Sequence, residues 1–152
     1  MIARSEGVRV GYLPFTQANI LQQAFKLFGE RYGWGNMYDA RDCTGFVLSI
    51  YNTFGIMMLR NSAELGEQAL GKTTDLNGKS LAEKHALLLK SDVGDETYSP
   101  GHVMLYLGHE NGRSYMIHST IGEENSLKGV SVTTIDYLAD EFNRVKSFRL
   151  LW

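Results

Sequence analysis

The 152-residue sequence predicts an α+β fold in which N-terminal helices pack on an antiparallel β-sheet. Three observations carry this. Apolar residues recur at helical spacing in the first half of the chain. Past residue 100 the period shortens to two, in "HVMLYLG" and "SYMIHST". The "HENGR" between these runs is a hairpin signal, which makes them antiparallel neighbours.

The elements follow in order. "EGVRVGYLP" reads as a short strand ending at Pro14. Thr16 is placed to cap a helix over "QANILQQAFKLF", with Ile20, Leu21, Ala24, Phe25 and Phe28 as its apolar stripe and Gly29 as its stop. "RYGWGNMYDARD" is a loop rich in glycine and aromatics. A second helix runs from Cys43 to Phe54, turns Phe46, Val47, Ile50 and Phe54 inward, and ends at Gly55. A short helix from Ser62 to about Leu70 precedes a polar loop, Gly71 to Lys79. Ser80 and Glu83 stand in capping-box spacing, so "SLAEKHALLLK" is expected to be helical. After the hairpin come a last helix, "IDYLADEFNRV", and a final strand, "KSFRLLW".

The composition bounds the function. The length suits one domain with its own core. A net charge of −2 gives no basic field, which argues against nucleic acid as a partner. No apolar run approaches the roughly 18 residues needed to span a membrane, and "MIARSEGVRVGYLPF" has no signal-peptide core. An export signal is therefore expected only in a longer form of the protein. One cysteine allows no internal disulfide, and one cysteine with two distant histidines makes no zinc pattern, so no metal or cofactor is expected.

That cysteine, Cys43, lies in "YDARDCTGFVLSIYNTFG". A lone cysteine usually packs as a small hydrophobe. Here it opens a helix, where unpaired N–H groups and the helix dipole favour an anion, so a lowered thiol pKa is expected. Gly45 behind it lets another segment or a substrate come close. Asp42 has two readings: a helix cap near the thiol, or a site for a cationic substrate group. Trp34, Tyr38 and Tyr106 either line a groove or pack.

A nucleophilic cysteine needs a base, and the base needs an orienting group. His85 falls in the expected helix and His109 at the hairpin turn. His102 opens one strand and His118 lies late in the next. Parity decides whether these two can meet. A two-residue Asn111-Gly112 turn pairs Glu110 with Arg113 and puts the two histidines on opposite faces. A three-residue loop, Glu110 to Gly112, sets Met104 opposite His118 and both histidines on one face. Only such an even register permits a Cys–His–His triad.

Together these segments resemble the NlpC/P60 family of bacterial cell-wall cysteine peptidases, which have a papain-like fold. "YGWGNMYDARDCTGF" is similar to the family's Tyr-x-Trp-Gly-Gly followed by Asp-Cys-Ser-Gly-Phe. "FGIMMLRNS" is similar to Phe-Gly-Ile then Leu-Pro-Arg-Asp-Ser, and "SPGHVMLYLG" and "YMIHST" to its two histidine strands. The resemblance implies Cys43 as nucleophile, His102 as general base and His118 as its orienting partner. It implies a substrate site drawn from Tyr32, Trp34, Asp42, Thr44, Arg60, Asn61 and Ser62. It implies hydrolysis of the bond between γ-D-glutamate and a diamino acid, usually meso-diaminopimelate, in peptidoglycan stem peptides or muropeptides, and hence a place in the cell envelope or outside the cell. Residues 1–15 look like the tail or linker of an upstream Src-homology-three-like domain, with 16–152 as the catalytic domain.

Three positions depart from the pattern. Thr44 stands for serine, Met58 for proline, and Asn61 for the aspartate that pairs with a free N-terminal amine. Relaxed selection for that amine is the expected result. Two other functions compete on the same residues: a different thiol amidase or acyltransferase, and a non-catalytic wall-binding module.

Overall fold

Thr16 starts the first helix, because its hydroxyl oxygen accepts the Asn19 N–H at 3.2 Å. The computed structural model describes residues 10–67, 71–75, 87–92, 100–122, 128–136 and 142–150. Helix α1 is Gln17–Lys26, two residues shorter than expected, and Gly29 turns the chain away at φ +81°. Its buried stripe is narrower than the sequence suggested. Ile20 and Ala24 are buried, whereas Phe25 and Phe28 stack on each other 6.2 Å apart in solvent, 48% and 56% exposed. The strand expected up to Pro14 is absent from residues 10–14, the part of it that is described. Gly11 at φ +95° breaks the extended run, and Leu13 makes one backbone bond, to Thr53 O at 2.9 Å.

Helix α2, Cys43–Asn52, buries Phe46, Val47, Ile50 and Tyr51 and ends before Gly55, which sits at φ +75°. Helix α3 is Ser62–Glu67. The chain then forms a six-stranded antiparallel sheet from β1 (Gly71–Asp75), β2 (Leu87–Asp92), β3 (Pro100–Glu110), β4 (Arg113–Thr120), β5 (Gly129–Thr134) and β6 (Phe142–Leu150), in the order β1-β6-β2-β3-β4-β5.

Three expectations are overturned here. The polar loop from Gly71 begins with β1, which pairs with β6. The helix expected over Ser80–Lys90 is a strand from Leu87 onward; residues 80–86 lie outside the described ones. Leucines and a lysine favour a helix locally, but β2 is hydrogen-bonded on both sides, to β3 and β6, and that pairing outweighs propensity. The last helix, expected from Ile135 to Val145, is a turn at Ile135–Asp136 and a strand from Phe142; residues 137–141 lie outside the described ones. Strand β5 was not anticipated at all.

The helices cover the sheet face that carries Val103, Leu105, Ile117 and Val130, against Ile20, Ala24, Phe46, Val47 and Ile50. Each of these side chains larger than alanine, fully buried, stabilises the fold by about 1.5–3 kcal/mol. At the sheet's β5 edge the backbone of the loop after α1 closes in. Gly29 N–H donates to Val130 O, and Val130 N–H donates to Glu30 O, both at 2.8 Å.

The hairpin solves its parity in an unexpected way. The turn is the two-residue one, with Asn111 and Gly112 both left-handed (φ 51° and 77°) and Glu110 facing Arg113. That register alone would separate His102 from His118. A β-bulge then intervenes: Gly108 pairs with Tyr115, but Tyr106 pairs with Met116, leaving Leu107 unpaired. Beyond it Leu105 faces Ile117. By strand alternation Met104, His102, His118 and Thr120 share the face opposite Leu105 and Ile117, and the two histidine rings meet there.

Candidate active site

The site grows from the start of α2. Asp42 is its N-cap, and Oδ1 accepts the Gly45 N–H at 2.8 Å. The same carboxylate accepts the Gly35 N–H at 3.0 Å and both Arg60 nitrogens, Nη1 at 3.1 Å and Nη2 at 2.6 Å. Of the two readings of Asp42, capping is therefore the one the contacts display, and its charge is already met by Arg60. Gly45 admits the side chain of Asn36, since a Cβ there would lie 1.9 Å from Asn36 Oδ1. That oxygen accepts the Asp42 N–H at 3.2 Å. Gly45→Ala therefore sets two effects against each other. Helix propensity gains about 1 kcal/mol. Displacing the amide costs about 1–3 kcal/mol of overpacking and about 1 kcal/mol of hydrogen bond. A net loss of about 1–3 kcal/mol is expected, read from the urea unfolding midpoint.

Cys43 is half-buried and packs against the core. Its thiol is raised, not lowered as the helix start suggested. Burial is the main cause, and the Asp42 charge adds to it. The Val103 N–H, the Thr44 hydroxyl and the Thr44 N–H, all bonded to the sulfur, oppose the rise without reversing it. The sulfur thus sits against the start of β3, one residue from His102.

His102 Nε2 and His118 Nδ1 are 2.7 Å apart, with the rings nearly perpendicular at 73°. On the far side His118 Nε2 lies 3.0 Å from Thr133 Oγ1. Both rings are buried, at 8% and 0% exposure. The arrangement defines a chain of polar contacts from Thr133 through His118 to His102.

Cys43 and His102 line one cleft of about 290 Å³. Tyr32, Trp34, Asp42, Thr44, Arg60, Asn61 and Ser62 complete most of its wall, so the structure gathers in one place every residue named from the sequence except His118, which lies behind His102. Tyr32 is pushed up to about 12 by burial, then by the neighbouring Cys43 and Asp42, with Arg60 opposing. It stays a phenol, able to donate, at any ordinary pH. Of the three aromatics left open, Trp34 lines the cleft and is 72% exposed, Tyr38 is 93% exposed, and Tyr106 is core. His109 bonds Ser114 Oγ at 3.1 Å, and His85 lies outside the described residues.

Gly101, Thr120 and Ile121 also line the cleft and were not anticipated. Thr120 was within reach of parity, because it lies two residues past His118 on the same face. Thr133 was not, since its strand went unread. Among the described residues no cluster of His, Cys, Asp and Glu could hold a metal, and no helix is long and apolar enough to cross a membrane.

Solved structures share this architecture. An NlpC/P60 endopeptidase from Photobacterium damselae subsp. piscicida superposes with a TM-score of 0.65 at 18% identity, over 85% of this chain but only 37% of its own. The NlpC/p60 domain of the peptidoglycan hydrolase SagA gives 0.65 at 21% identity, over 89% of this chain and 99% of that one. RipD from Mycobacterium tuberculosis, described as a non-catalytic NlpC/p60 domain protein adapted to peptidoglycan binding, gives 0.63 at 15%, over 89% and 97%. At these identities the likeness establishes the papain-like fold. No curated protein sequence matches the chain. The sequence itself matches the NlpC/P60 family over residues 29–146, most of its length, and on that match the chain belongs to the NlpC/P60 family.

Proposed function

We propose that the chain is a peptidoglycan hydrolase, a cysteine endopeptidase that cleaves the γ-D-glutamyl–diamino acid bond of stem peptides through Cys43, His102 and His118. The observation that carries this reading is the 2.7 Å contact between His102 and His118, with His102 and Cys43 on one cleft. With Nε2 turned to His118, Nδ1 is the nitrogen of His102 assigned to the thiol. Because burial keeps Cys43 a thiol, its proton passes to His102 as sulfur attacks the γ-glutamyl carbonyl, rather than beforehand. The carbonyl oxygen becomes an oxyanion, stabilised by the Cys43 backbone N–H at the helix start. His102 returns the proton to the leaving amine, and the C–N bond breaks. Water then attacks the thioester, gives its proton to His102, and frees the acid and the thiol. Throughout, His118 accepts from His102 Nε2–H and donates its own Nε2–H to Thr133, which fixes one tautomer.

The test is incubation with stem peptides and disaccharide-linked muropeptides, with products identified by mass. Cleavage after γ-D-glutamate is the expected result. Tight binding without products would replace this reading with a wall-binding role such as RipD's description states, and a different cut bond would indicate another thiol amidase. The localisation that follows from the reading is the cell envelope or the extracellular space.

Asn61 bears on the substrate's terminus. Among the cleft's lining residues Asp42 is the only carboxylate, and Arg60 pairs with it. Asn61→Asp would add an unpaired one, worth about 1.5–3 kcal/mol against an ammonium group. The preference for free over N-acetylated stem peptide should rise about tenfold in kcat/KM. An unchanged ratio would show that Asn61 does not face the amine.

A further inference from the structure

Beyond Tyr32 the surface opens into a second hollow, of about 490 Å³, whose walls include Arg31, Tyr32, Met37, Tyr38 and Asp39. Tyr32 lines both this hollow and the cleft, so the two are neighbours across that side chain. The loop between them is built to hold apolar groups in water. Met37 is 50% and Tyr38 93% exposed. Tyr38 and Asp39 are left-handed, at φ 59° and 57°, a conformation that disfavours bulky side chains. Such strain persists where the surroundings enforce it. Here they do: Gly35 N–H and Asp42 N–H tie the loop's near end to the start of α2 at 3.0 and 3.2 Å, and Ala40 N–H closes its far end on Met37 O at 3.2 Å. Gly33 is required for this closure, as a Cβ there would meet Met37 O at 2.5 Å. Glu30, which also lines the hollow, is ion-paired with Arg41. An exposed aromatic and a thioether thus stand side by side on a strained, hydrogen-bonded loop that lines this hollow.

We infer that this hollow is a subsite for a sugar ring of the glycan strand. The inference rests on the peptidoglycan reading above, because there the stem peptide in the cleft is attached to that strand. A pyranose has an apolar C–H face and a polar rim. Tyr38 and Met37 offer the first a surface, and Arg31 and Asp39 on the same hollow offer hydroxyl and amide groups partners. The substrate class is thus narrowed from any stem peptide to peptide still carried on glycan.

The double variant Met37→Ala/Tyr38→Ala tests this, with unchanged thermal unfolding as its control. Wild type and variant are compared on a free stem peptide and on the same peptide bearing its disaccharide. Expected is a drop in kcat/KM of about tenfold on the disaccharide-linked substrate, with the free peptide cleaved as before. Equal effects on both substrates, or none on either, would overturn the subsite. Should the wild type cleave neither, the hydrolase reading fails separately. Calorimetric Kd values for the same two ligands then decide the subsite: selective weakening of the disaccharide-linked one supports it, and unselective or absent weakening overturns it.

Discussion

Cys43→Ser is expected to lower turnover of the stem peptide by at least about a thousandfold while leaving the fold intact. The thiol in this site is already harder to ionise than an ordinary one, because burial dominates its surroundings. A hydroxyl in the same place ionises far less readily still, and the same His102 cannot make up the difference. The exchange of sulfur for oxygen costs little in packing, so the melting temperature should stay near that of the parent. Turnover close to native in this variant would remove Cys43 from the reaction. The parent carries a companion signature: its alkylation by iodoacetamide should keep accelerating into the alkaline range, without levelling off near neutrality.

Asp42 is expected to have the largest effect on stability within the site. In Asp42→Ala, α2 loses its cap, which costs about 1–2 kcal/mol. The Gly35 N–H loses its acceptor, which adds about 1 kcal/mol. Losing the Arg60 contact adds little, because that guanidinium is 40% exposed. The sum, about 2–3 kcal/mol, is readable in urea. Asp42→Asn separates the two duties of this side chain. An asparagine caps nearly as well, so stability should fall by only about 1 kcal/mol. It also takes away a negative charge that raises the Cys43 thiol. The thiolate then becomes easier to form, and the alkylation profile should move toward acid. A profile unmoved in Asp42→Asn would mean that the carboxylate does not act on the sulfur.

How far this molecule could be read from its sequence depended on how local the information was. Thr16 and Asp42 each cap the helix that follows them through a bond within three residues, and such starts are legible. Strands β1, β2 and β5 were hidden or misread, and β6 was read as a strand only from Lys146, because their partners lie far away in the chain. Leu87-Leu88-Leu89 fits a helix as well as a strand until β3 and β6 are seen on either side. The hairpin shows the same limit more finely. His102 and His118 share a face as an even register would put them, but a bulge at Leu107 brings this about rather than a longer turn. Its one local trace is Gly108, at φ 143°. The cleft-lining residues were legible through family-like motifs, whereas the state of the thiol was not. Helix position alone predicts an acidic cysteine; the burial that reverses this comes from tertiary packing.

Strand β5 ends the sheet, so its outer backbone groups would ordinarily invite another strand. At Val130 they are already taken, by Gly29 on one side and Glu30 on the other. This is possible only because Gly129 has no side chain, since a Cβ there would stand 2.1 Å from Glu30 O. Any larger residue at 129 would push the segment away and uncover the border of the sheet. One chain could then add to the next through main-chain bonds alone. Gly129, by its smallness, thus lets the molecule's own backbone occupy the border of the sheet at Val130, where a foreign strand would otherwise find free groups.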